Sequence, residues 1–198
     1  YLKKFSSRIY LVGGCVRDHF LGRASADVDV ELYDVNPHRF EQIMQDFGAQ
    51  GVGKSYFVYK YKNFDVSLPR TESKTGVGHK GFSVALATDE REASRRRDFT
   101  INAMMIDAIS GKVLDFYGGL ADLRARILRV VDPHTFVEDS LRVYRAVQFA
   151  ARFELCAEPR TLELMRSIDA SDLSCERVKA ELIKFFCAPA HRYGMMLM

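Results

Sequence analysis

Three acidic residues alternate with apolar ones at residues 27–32. Side chains on a β-strand point to the same face at every second residue, so Asp27, Asp29 and Glu31 are expected to share one face. Two carboxylates on one rigid face can hold divalent cations about 3.5–4 Å apart, as in many phosphoryl-transfer enzymes. An isolated Asp-x-Asp more often indicates an acidic solvent face on an edge strand. The surrounding residues decide between these interpretations.

A glycine pair precedes this segment, between an apolar run at residues 9–12 and a short helical stretch at residues 16–21. Glycine lets backbone N–H groups approach a ligand closely, and a helix N-terminus favours anions. Arg17 lies one turn into that stretch, where its guanidinium could bind phosphate oxygens. Taken alone, the glycines are a tight turn and Arg17 a surface charge. The acidic segment begins 13 residues after Gly14, so the sequence places a phosphate-binding and a metal-binding element close together.

Longer motifs follow in a recognisable order. Residues 11–18 (LVGGCVRD), together with residues 27–29 (DVD), resemble the first signature of class II CCA-adding enzymes. These enzymes and bacterial poly(A) polymerases belong to the polymerase-beta-like nucleotidyltransferase superfamily. The other matching segments are residues 68–70 (LPR), 78–82 (GHKGF), 96–104 (RRDFTINAM), 138–153 (the neck signature) and 173–181 (the Glu-Arg-Val element). The resemblance covers nearly the whole chain.

The resemblance implies a template-independent nucleotidyltransferase. Such an enzyme uses Mg²⁺ or Mn²⁺ to add nucleotides from CTP and ATP to the 3′ end of tRNA. It implies that Asp27 and Asp29 are catalytic and bind the metal. Asp65 is our candidate for a third catalytic carboxylate, weighed evenly against an exposed hairpin residue. Glu31 is the reserve candidate, because it shares the strand face with Asp27 and Asp29.

The resemblance also assigns nucleotide contacts outside the acidic segment. The residues on the phosphate and sugar side are Gly14, Arg17, Arg97 and Asn102. Read alone, the three arginines at residues 95–97 are a solvated basic patch. Phe99 and Ile101 interrupt the polar context, so we predict that this segment is anchored in the core, where an arginine is held well enough to serve a site.

A helical pattern begins near residue 138. At about 100° per residue, one face carries Glu138, Arg142, Arg145, Gln148 and Arg152, with Asp139 at its border. The opposite face, predicted to pack inside, carries Val143, Tyr144, Val147, Ala150 and Ala151. By itself the spacing of Glu138 and Arg142 indicates a surface ion pair. The resemblance implies instead that Asp139 and Arg142 bind the incoming base and that Arg145 lies in the same nucleotide pocket.

Position 148 departs from the family pattern, because glutamine stands where we expect arginine. Glutamine keeps hydrogen-bonding capacity but removes a charge. Full CCA addition, partial addition and poly(A) synthesis therefore remain open. The alternatives are a poly(A) polymerase that adds AMP to RNA 3′ ends, and a catalytically inactive nucleotide- or RNA-binding module. The inactive module fits less well, because the signature carboxylates and arginines are present.

Apolar periodicity predicts the elements that carry these motifs. Strands are predicted at residues 9–12, 27–32, 56–61, 64–68, 82–86 and 113–116, and helices at 16–21, from Asn36 onward and after Thr100. Residues 71–81 are predicted to form a loop. We therefore predict an α+β fold: a polymerase-beta-like catalytic head with a mostly antiparallel sheet flanked by helices (residues 1–130), then an all-helical neck (residues 131–198).

Composition limits the remaining possibilities. The chain has 198 residues, 47% of them hydrophobic. No apolar run approaches the roughly 18 residues of a membrane span. Its four cysteines form no Cys-x-x-Cys pair, which makes a zinc site improbable and suits reduced thiols in a cytoplasmic protein. The net charge of +3 gives little attraction for RNA phosphates. We expect the family's tRNA-holding body and tail domains to lie outside this chain, and residues 1–198 to bind nucleotide but extend tRNA poorly.

Overall fold

The computed structural model describes residues 1–52, 58–74 and 82–198. These residues form two compact units. Of the described residues, unit 1 contains 1–52, 58–72, 84–95 and 102–117, and unit 2 contains 73–74, 82–83, 96–101 and 118–198. The predicted boundary near residue 130 between head and neck stays a prediction.

The strands are β1 (Ile9–Val12), β2 (Val28–Leu32), β3 (Gln50–Gly51), β4 (Val58–Tyr61), β5 (Phe64–Ser67), β6 (Arg70–Lys74), β7 (Phe82–Leu86), β8 (Met105–Asp107), β9 (Val113–Leu114), β10 (Ile127–Leu128) and β11 (Cys156–Ala157). The helices are α1 (Gly14–Phe20), α2 (Pro37–Asp46), α3 (Glu90–Arg95), α4 (Gly119–Ala125), α5 (Pro133–Phe136), α6 (Leu141–Phe153), α7 (Pro159–Arg166), α8 (Cys175–Phe186) and α9 (His191–Met195). Short 3₁₀ segments cover Leu2–Lys4 and Thr100–Asn102.

Unit 1 is built on a sheet with the strand order β3-β4-β5-β2-β1-β8-β9 in the described part of the chain. Its neighbouring strands pair antiparallel, apart from the parallel pair β2 and β5. Strands β6 and β7 form a separate two-stranded sheet. The predicted α+β fold with a mostly antiparallel sheet is confirmed.

Alternation along the strands separates two apolar clusters on the two faces of this sheet. One face packs against α2, and its buried members are Ile9, Val30, Leu32, Phe40, Ile43, Met44, Val66 and Leu68. Helix α2 begins where predicted, because the Asn36 side chain accepts the N–H of Arg39 and Pro37 occupies the first turn. The other cluster contains Tyr10, Val12, Tyr33, Ala87, Ala93 and Met105. Burial of both clusters fixes the strands that carry the acidic residues.

Two local predictions were wrong. A helix was predicted after Thr100, but a single 3₁₀ turn is followed by strand β8. Residues 103–105 are buried in succession, and β8 gains hydrogen bonds by pairing with β1. Residues 71–74 were predicted as loop but belong to β6, because pairing with β7 satisfies their backbone. Residues 75–81, like residues 56 and 57 of a predicted strand, lie outside the described residues.

Unit 2 is mainly helical and centres on α6. Helices α8 and α9 both pack on α6, and Gly194 permits the close approach of α9. A Cβ at this glycine would lie 2.7 Å from the carbonyl oxygen of Val147 and 2.6 Å from the Phe185 ring. Strand β11 interrupts the predicted all-helical neck and pairs in parallel with β10. In the described ranges no helix is long and apolar enough to cross a bilayer.

Candidate active site

The parallel pairing of β2 with β5 places Asp29 directly opposite Asp65. Residues in register across a sheet present their side chains to the same face, and Asp27 precedes Asp29 by one strand repeat. The side chain of Asp27 is 65% exposed and that of Asp65 31% exposed. The structure therefore brings the three carboxylates predicted from the sequence to one accessible face of unit 1. We call Asp27, Asp29 and Asp65 the acidic cluster.

Lys60 of β4 lies beside the acidic cluster. Its Nζ is 3.7 Å from Asp27 Oδ1 and 3.5 Å from Asp65 Oδ1. These distances permit electrostatic attraction but exceed those of good N–H···O hydrogen bonds. Within the described residues, Asp65 Oδ1 is buried and accepts no hydrogen bond. The sequence analysis did not single out Lys60, although its cross-strand pairing with Asp65 follows from a hairpin around residues 62 and 63.

Glu31, the reserve carboxylate, lies deeper on the same strand. It is 1% exposed, and its Oε2 accepts a hydrogen bond of 3.1 Å from the Tyr33 hydroxyl. Burying a carboxylate requires such partners. Asp65, which is in register with Asp29, remains the better candidate for a third carboxylate.

The donor atoms of the acidic cluster fit a partial magnesium site. Mg²⁺ prefers oxygen ligands and is usually held by one or two carboxylates together with substrate phosphates. Among residues 1–52, 58–74 and 82–198, no group of three or more His, Cys, Asp or Glu side chains is arranged to hold a metal. Asp27 and Asp29 supply carboxylate oxygens of the kind that Mg²⁺ prefers.

The glycine turn holds Arg17 in a fixed position. Gly13 has φ 73° at the N-cap of α1, a backbone conformation that favours glycine. Arg17 Nη2 lies 3.4 Å from the position that a Cβ on Gly14 would occupy. Arg17 Nη1 donates a 2.6 Å hydrogen bond to Asn102 Oδ1, and the guanidinium also pairs with Asp18 Oδ1 at 2.8 Å. The structure thus brings together Gly14, Arg17 and Asn102, which are predicted to contact the phosphates and sugar of the nucleotide.

Asp18 is a residue that the sequence analysis missed. Arg17 is only 4% exposed, and a buried cation is costly unless it is paired and hydrogen-bonded. Asp18 supplies that pairing from the next position in the chain. The acidic residue that ends the LVGGCVRD motif is the signal that could have identified it.

In unit 2, the segment that carries Arg97 is anchored as predicted, since Phe99 and Ile101 are each 0% exposed. Asp98 ties this segment to α6. Its Oδ2 accepts a hydrogen bond of 2.7 Å from Nε of Arg145 and forms an ion pair with Nη2 of the same residue, also at 2.7 Å. The negative charge of Asp98 raises the pKa of the half-buried Arg145 guanidinium, which favours its charged form.

The two residues assigned to base binding are held by protein partners. Arg142 Nη1 donates to the carbonyl of Thr135 at 2.7 Å, and Nη2 donates to that of Arg96 at 2.6 Å. Asp139 Oδ1 accepts from Arg177 Nη2 at 3.1 Å. Arg177 lies in the Glu-Arg-Val element, yet no local pattern connects it with Asp139, which is 38 residues away.

One prediction about α6 requires correction. Gln148 was placed on the polar face but is 1% exposed, and its Oε1 accepts a 3.2 Å hydrogen bond from Arg152. The reason is that α6 is packed on more than one side. Helices α8 and α9 cover part of it, and the Phe99 ring packs edge-on against Phe149, next to Gln148. The buried sector is therefore wider than an amphipathic pattern indicates.

The family assignment follows from comparison with known proteins. Residues 9–129 match the family model described as the poly A polymerase head domain. The chain belongs to this family. The resemblance recognised in the sequence is thereby confirmed.

The chain is similar to CCA-adding enzymes in sequence and in structure. The multifunctional CCA protein of Stenotrophomonas maltophilia (strain R551-3) is 41% identical over 186 residues, which cover 89% of this chain and 45% of the relative. The Bacillus stearothermophilus CCA-adding enzyme, solved in complex with CTP, is 31% identical with a TM-score of 0.83, and the match covers 99% of this chain and 48% of that enzyme.

A tRNA nucleotidyltransferase solved with a primer tRNA and an incoming ATP analogue is 26% identical, with a TM-score of 0.74. This match covers 96% of the chain and 56% of that structure. The chain thus spans about half the length of the proteins it resembles.

Proposed function

We propose that the protein transfers nucleotides from CTP and ATP to the 3′ end of tRNA without a template. The observation that carries this proposal is the acidic cluster, in which the parallel pairing of β2 and β5 sets Asp29 beside Asp65. The CTP complex of one similar enzyme, and the complex of another with primer tRNA and an ATP analogue, support the choice of substrates.

Asp27 and Asp29 would hold Mg²⁺ or Mn²⁺, and Asp65 is the third catalytic carboxylate. Bound divalent cations activate an attacking hydroxyl and neutralise a leaving pyrophosphate in this type of chemistry. Gly14 offers close backbone approach to a phosphate, and Arg17 and Arg97 offer positive charge. Asn102 orients Arg17 through their 2.6 Å hydrogen bond. A fixed cation costs little reorganisation when charge develops during transfer.

Residues 1–130 act in this proposal as the catalytic head, and residues 131–198 as a neck that recognises the base. Cytosine and adenine each carry an exocyclic amine donor beside a ring-nitrogen acceptor, and uracil and guanine reverse this order. A carboxylate only accepts hydrogen bonds and a guanidinium only donates them. Asp139 and Arg142 therefore complement C and A. The hydrogen bonds of Arg142 to the carbonyls of Thr135 and Arg96 hold its guanidinium in place, while Arg145 contributes positive charge to the same pocket.

The direct test is to incubate the full-length protein, rather than residues 1–198 alone, with tRNA that lacks its 3′ CCA end and with each labelled nucleotide, and then to size the product. Addition of two C residues and one A, dependent on Mg²⁺ or Mn²⁺, is the expected result. An Asp29→Asn variant serves as the inactive control. A protein that binds CTP but extends no RNA under any condition would contradict the proposal and favour a binding module.

Poly(A) synthesis is the second candidate. The specific observation in its favour is Gln148, which stands where we expect arginine in a CCA-adding enzyme and is buried on α6. Incorporation of long A tracts into RNA that is not tRNA, without use of CTP, would identify this activity. Incorporation limited to three nucleotides would exclude it.

A further inference from the structure

Lys60 occupies a position that the proposed catalytic chemistry does not explain. It is the side chain on β4 that points to the acidic cluster, with its Nζ 3.7 Å from Asp27 Oδ1 and 3.5 Å from Asp65 Oδ1. A lysine ammonium is a compact point charge on a flexible stem. Because its Nζ is within 4 Å of both Asp27 and Asp65, the ammonium group of Lys60 occupies the place of a cation shared by these two carboxylates.

The packing of β4 holds Lys60 in this orientation. Successive residues of a strand point to opposite faces, and both neighbours of Lys60 pack on α2 or the residue that caps it. The ring centroids of Tyr59 and Phe40 are 5.5 Å apart, and those of Tyr61 and Phe47 are 4.3 Å apart. Because the tyrosines are held on one face, Lys60 is directed to the other. Its position in register with Asp65 completes the arrangement.

The charge of Lys60 affects both the repulsion within the acidic cluster and the binding of a metal cation there. Asp29 and Asp65 are neighbours across β2 and β5, and like charges directly opposite each other destabilise a sheet. The positive charge of Lys60, close to Asp27 and Asp65, offsets part of the negative charge of the acidic cluster and so weakens the repulsion among its carboxylates. The same charge opposes a second cation that approaches the same oxygens.

We propose that Lys60 is an internal counter-cation, which neutralises the acidic cluster while no divalent metal is bound and gives way when one binds. This inference rests on the proposed metal site at Asp27 and Asp29. Lys60 thereby sets the affinity of the site for metal in the absence of nucleotide. It is a positioning residue, not a catalytic one.

The test uses Lys60→Met, which removes the charge and keeps most of the stem, and Lys60→Arg, which keeps the charge. Lys62→Met is the matched control, because Lys62 lies on the same hairpin and its Nζ is 5.5 Å from the Tyr61 ring centroid. Binding of Mn²⁺ without nucleotide is measured by electron paramagnetic resonance, and thermal unfolding is measured in EDTA and in saturating Mn²⁺.

We expect Lys60→Met to bind Mn²⁺ about tenfold more tightly than wild type, an estimate reduced for the partial exposure of the pair. Its unfolding temperature in EDTA should fall below that of wild type and recover in Mn²⁺. Lys60→Arg and Lys62→Met should leave Mn²⁺ affinity within about twofold of wild type.

Two results would overturn the inference. Unchanged Mn²⁺ affinity in Lys60→Met makes Lys60 an ordinary surface lysine, and weaker CTP binding with unchanged Mn²⁺ affinity makes it a phosphate ligand. Asp29→Asn separates these failures from failure of the proposed function. If wild type binds Mn²⁺ and Asp29→Asn does not, the metal site stands and only the role of Lys60 is rejected. If both bind Mn²⁺ equally weakly, the metal site itself is rejected together with the role of Lys60.

Discussion

Two charged regions of the molecule are built in opposite ways. In the acidic cluster of unit 1, like charges are adjacent and Lys60 lies 3.5 and 3.7 Å from two of them. In unit 2, opposite charges meet through short bonds of 2.7 Å between Arg145 and Asp98 and 3.1 Å between Arg177 and Asp139. We call Asp98, Asp139, Arg142, Arg145 and Arg177 the arginine network.

The contrast indicates that the acidic cluster is arranged for ligand binding, whereas the arginine network also contributes to stability. Charge-assisted hydrogen bonds are stronger than neutral ones, so we expect the arginine network to stabilise the unit that contains it, to a degree reduced by its partial exposure. Adjacent carboxylates oppose folding unless a cation joins them. Substitutions in the acidic cluster should therefore reduce activity without loss of stability, whereas substitutions in the arginine network should reduce stability as well.

The largest effect is expected from Asp29→Asn. Loss of a metal-binding charge should slow nucleotide transfer about 10³-fold, which corresponds to about 4 kcal/mol of barrier height. The unfolding temperature should stay the same or rise, because repulsion with Asp65 is removed. Steady-state transfer assays and calorimetry measure the two quantities. Asp46→Asn, an exposed change on α2, is the control, and a clear loss of stability in Asp29→Asn would remove the contrast between the regions.

Asp98→Ala should give the largest loss of stability. Arg145 would lose its carboxylate partner, and because its side chain is 34% exposed we expect a cost of about 2–3 kcal/mol, within the range for a hydrogen bond to a charged group. Denaturation by urea should show this loss directly. Glu163→Ala, an exposed change on α7, should have almost no effect. If Asp98→Ala unfolds at the same urea concentration as wild type, the arginine network does not stabilise unit 2.

Arg142→Ala should affect both properties to a smaller degree. Loss of its guanidinium removes two hydrogen bonds, to the carbonyls of Thr135 and Arg96, at a cost of about 1–3 kcal/mol of stability. Preference for CTP and ATP over UTP and GTP should fall about 10- to 100-fold, by analogy with bidentate base contacts. Competition among all four triphosphates measures the preference, with Arg160→Ala as the control. A slower variant that keeps its full preference would limit Arg142 to a structural role.

The smallest effect concerns a carboxylate of unit 1 that is hydrogen-bonded, unlike Asp65 Oδ1. Burial by itself raises the pKa of Glu90, but hydrogen bonds from Tyr10 and Arg8 and the charge of Arg8 lower it overall. A carboxyl group whose pKa is lowered in the folded state stabilises the protein at pH values above its unfolded-state pKa. This contribution is lost as the pH falls through the folded-state pKa. Glu90→Gln should therefore cost about 1 kcal/mol at pH 7 and little at pH 3. Equal losses of stability at pH 7 and pH 3 would show that the folded protein does not favour the ionised form of Glu90.

Much of the acidic cluster and of the fold followed from local sequence. Alternation predicted β2 with Asp27 and Asp29 on one face, and the apolar run before Gly13 predicted β1, because strand periodicity is a property of the backbone. The cap at Asn36 predicted the start of α2 in the same way. Phe99 and Ile101 revealed an anchored segment, since large apolar side chains are strongly driven into a core.

Tertiary structure decided what depends on distant partners. The buried residues after Thr100 became a strand because β1 offered hydrogen bonds, which no local pattern records. Gln148 was buried because α6 is packed on several sides, and Arg177 met Asp139 only through the packing of α8 on α6. Lys60 reached the acidic cluster through the register of β4 with β5. Periodicity fixes which way a side chain points along its own element, but strand pairing and helix packing determine what it meets there.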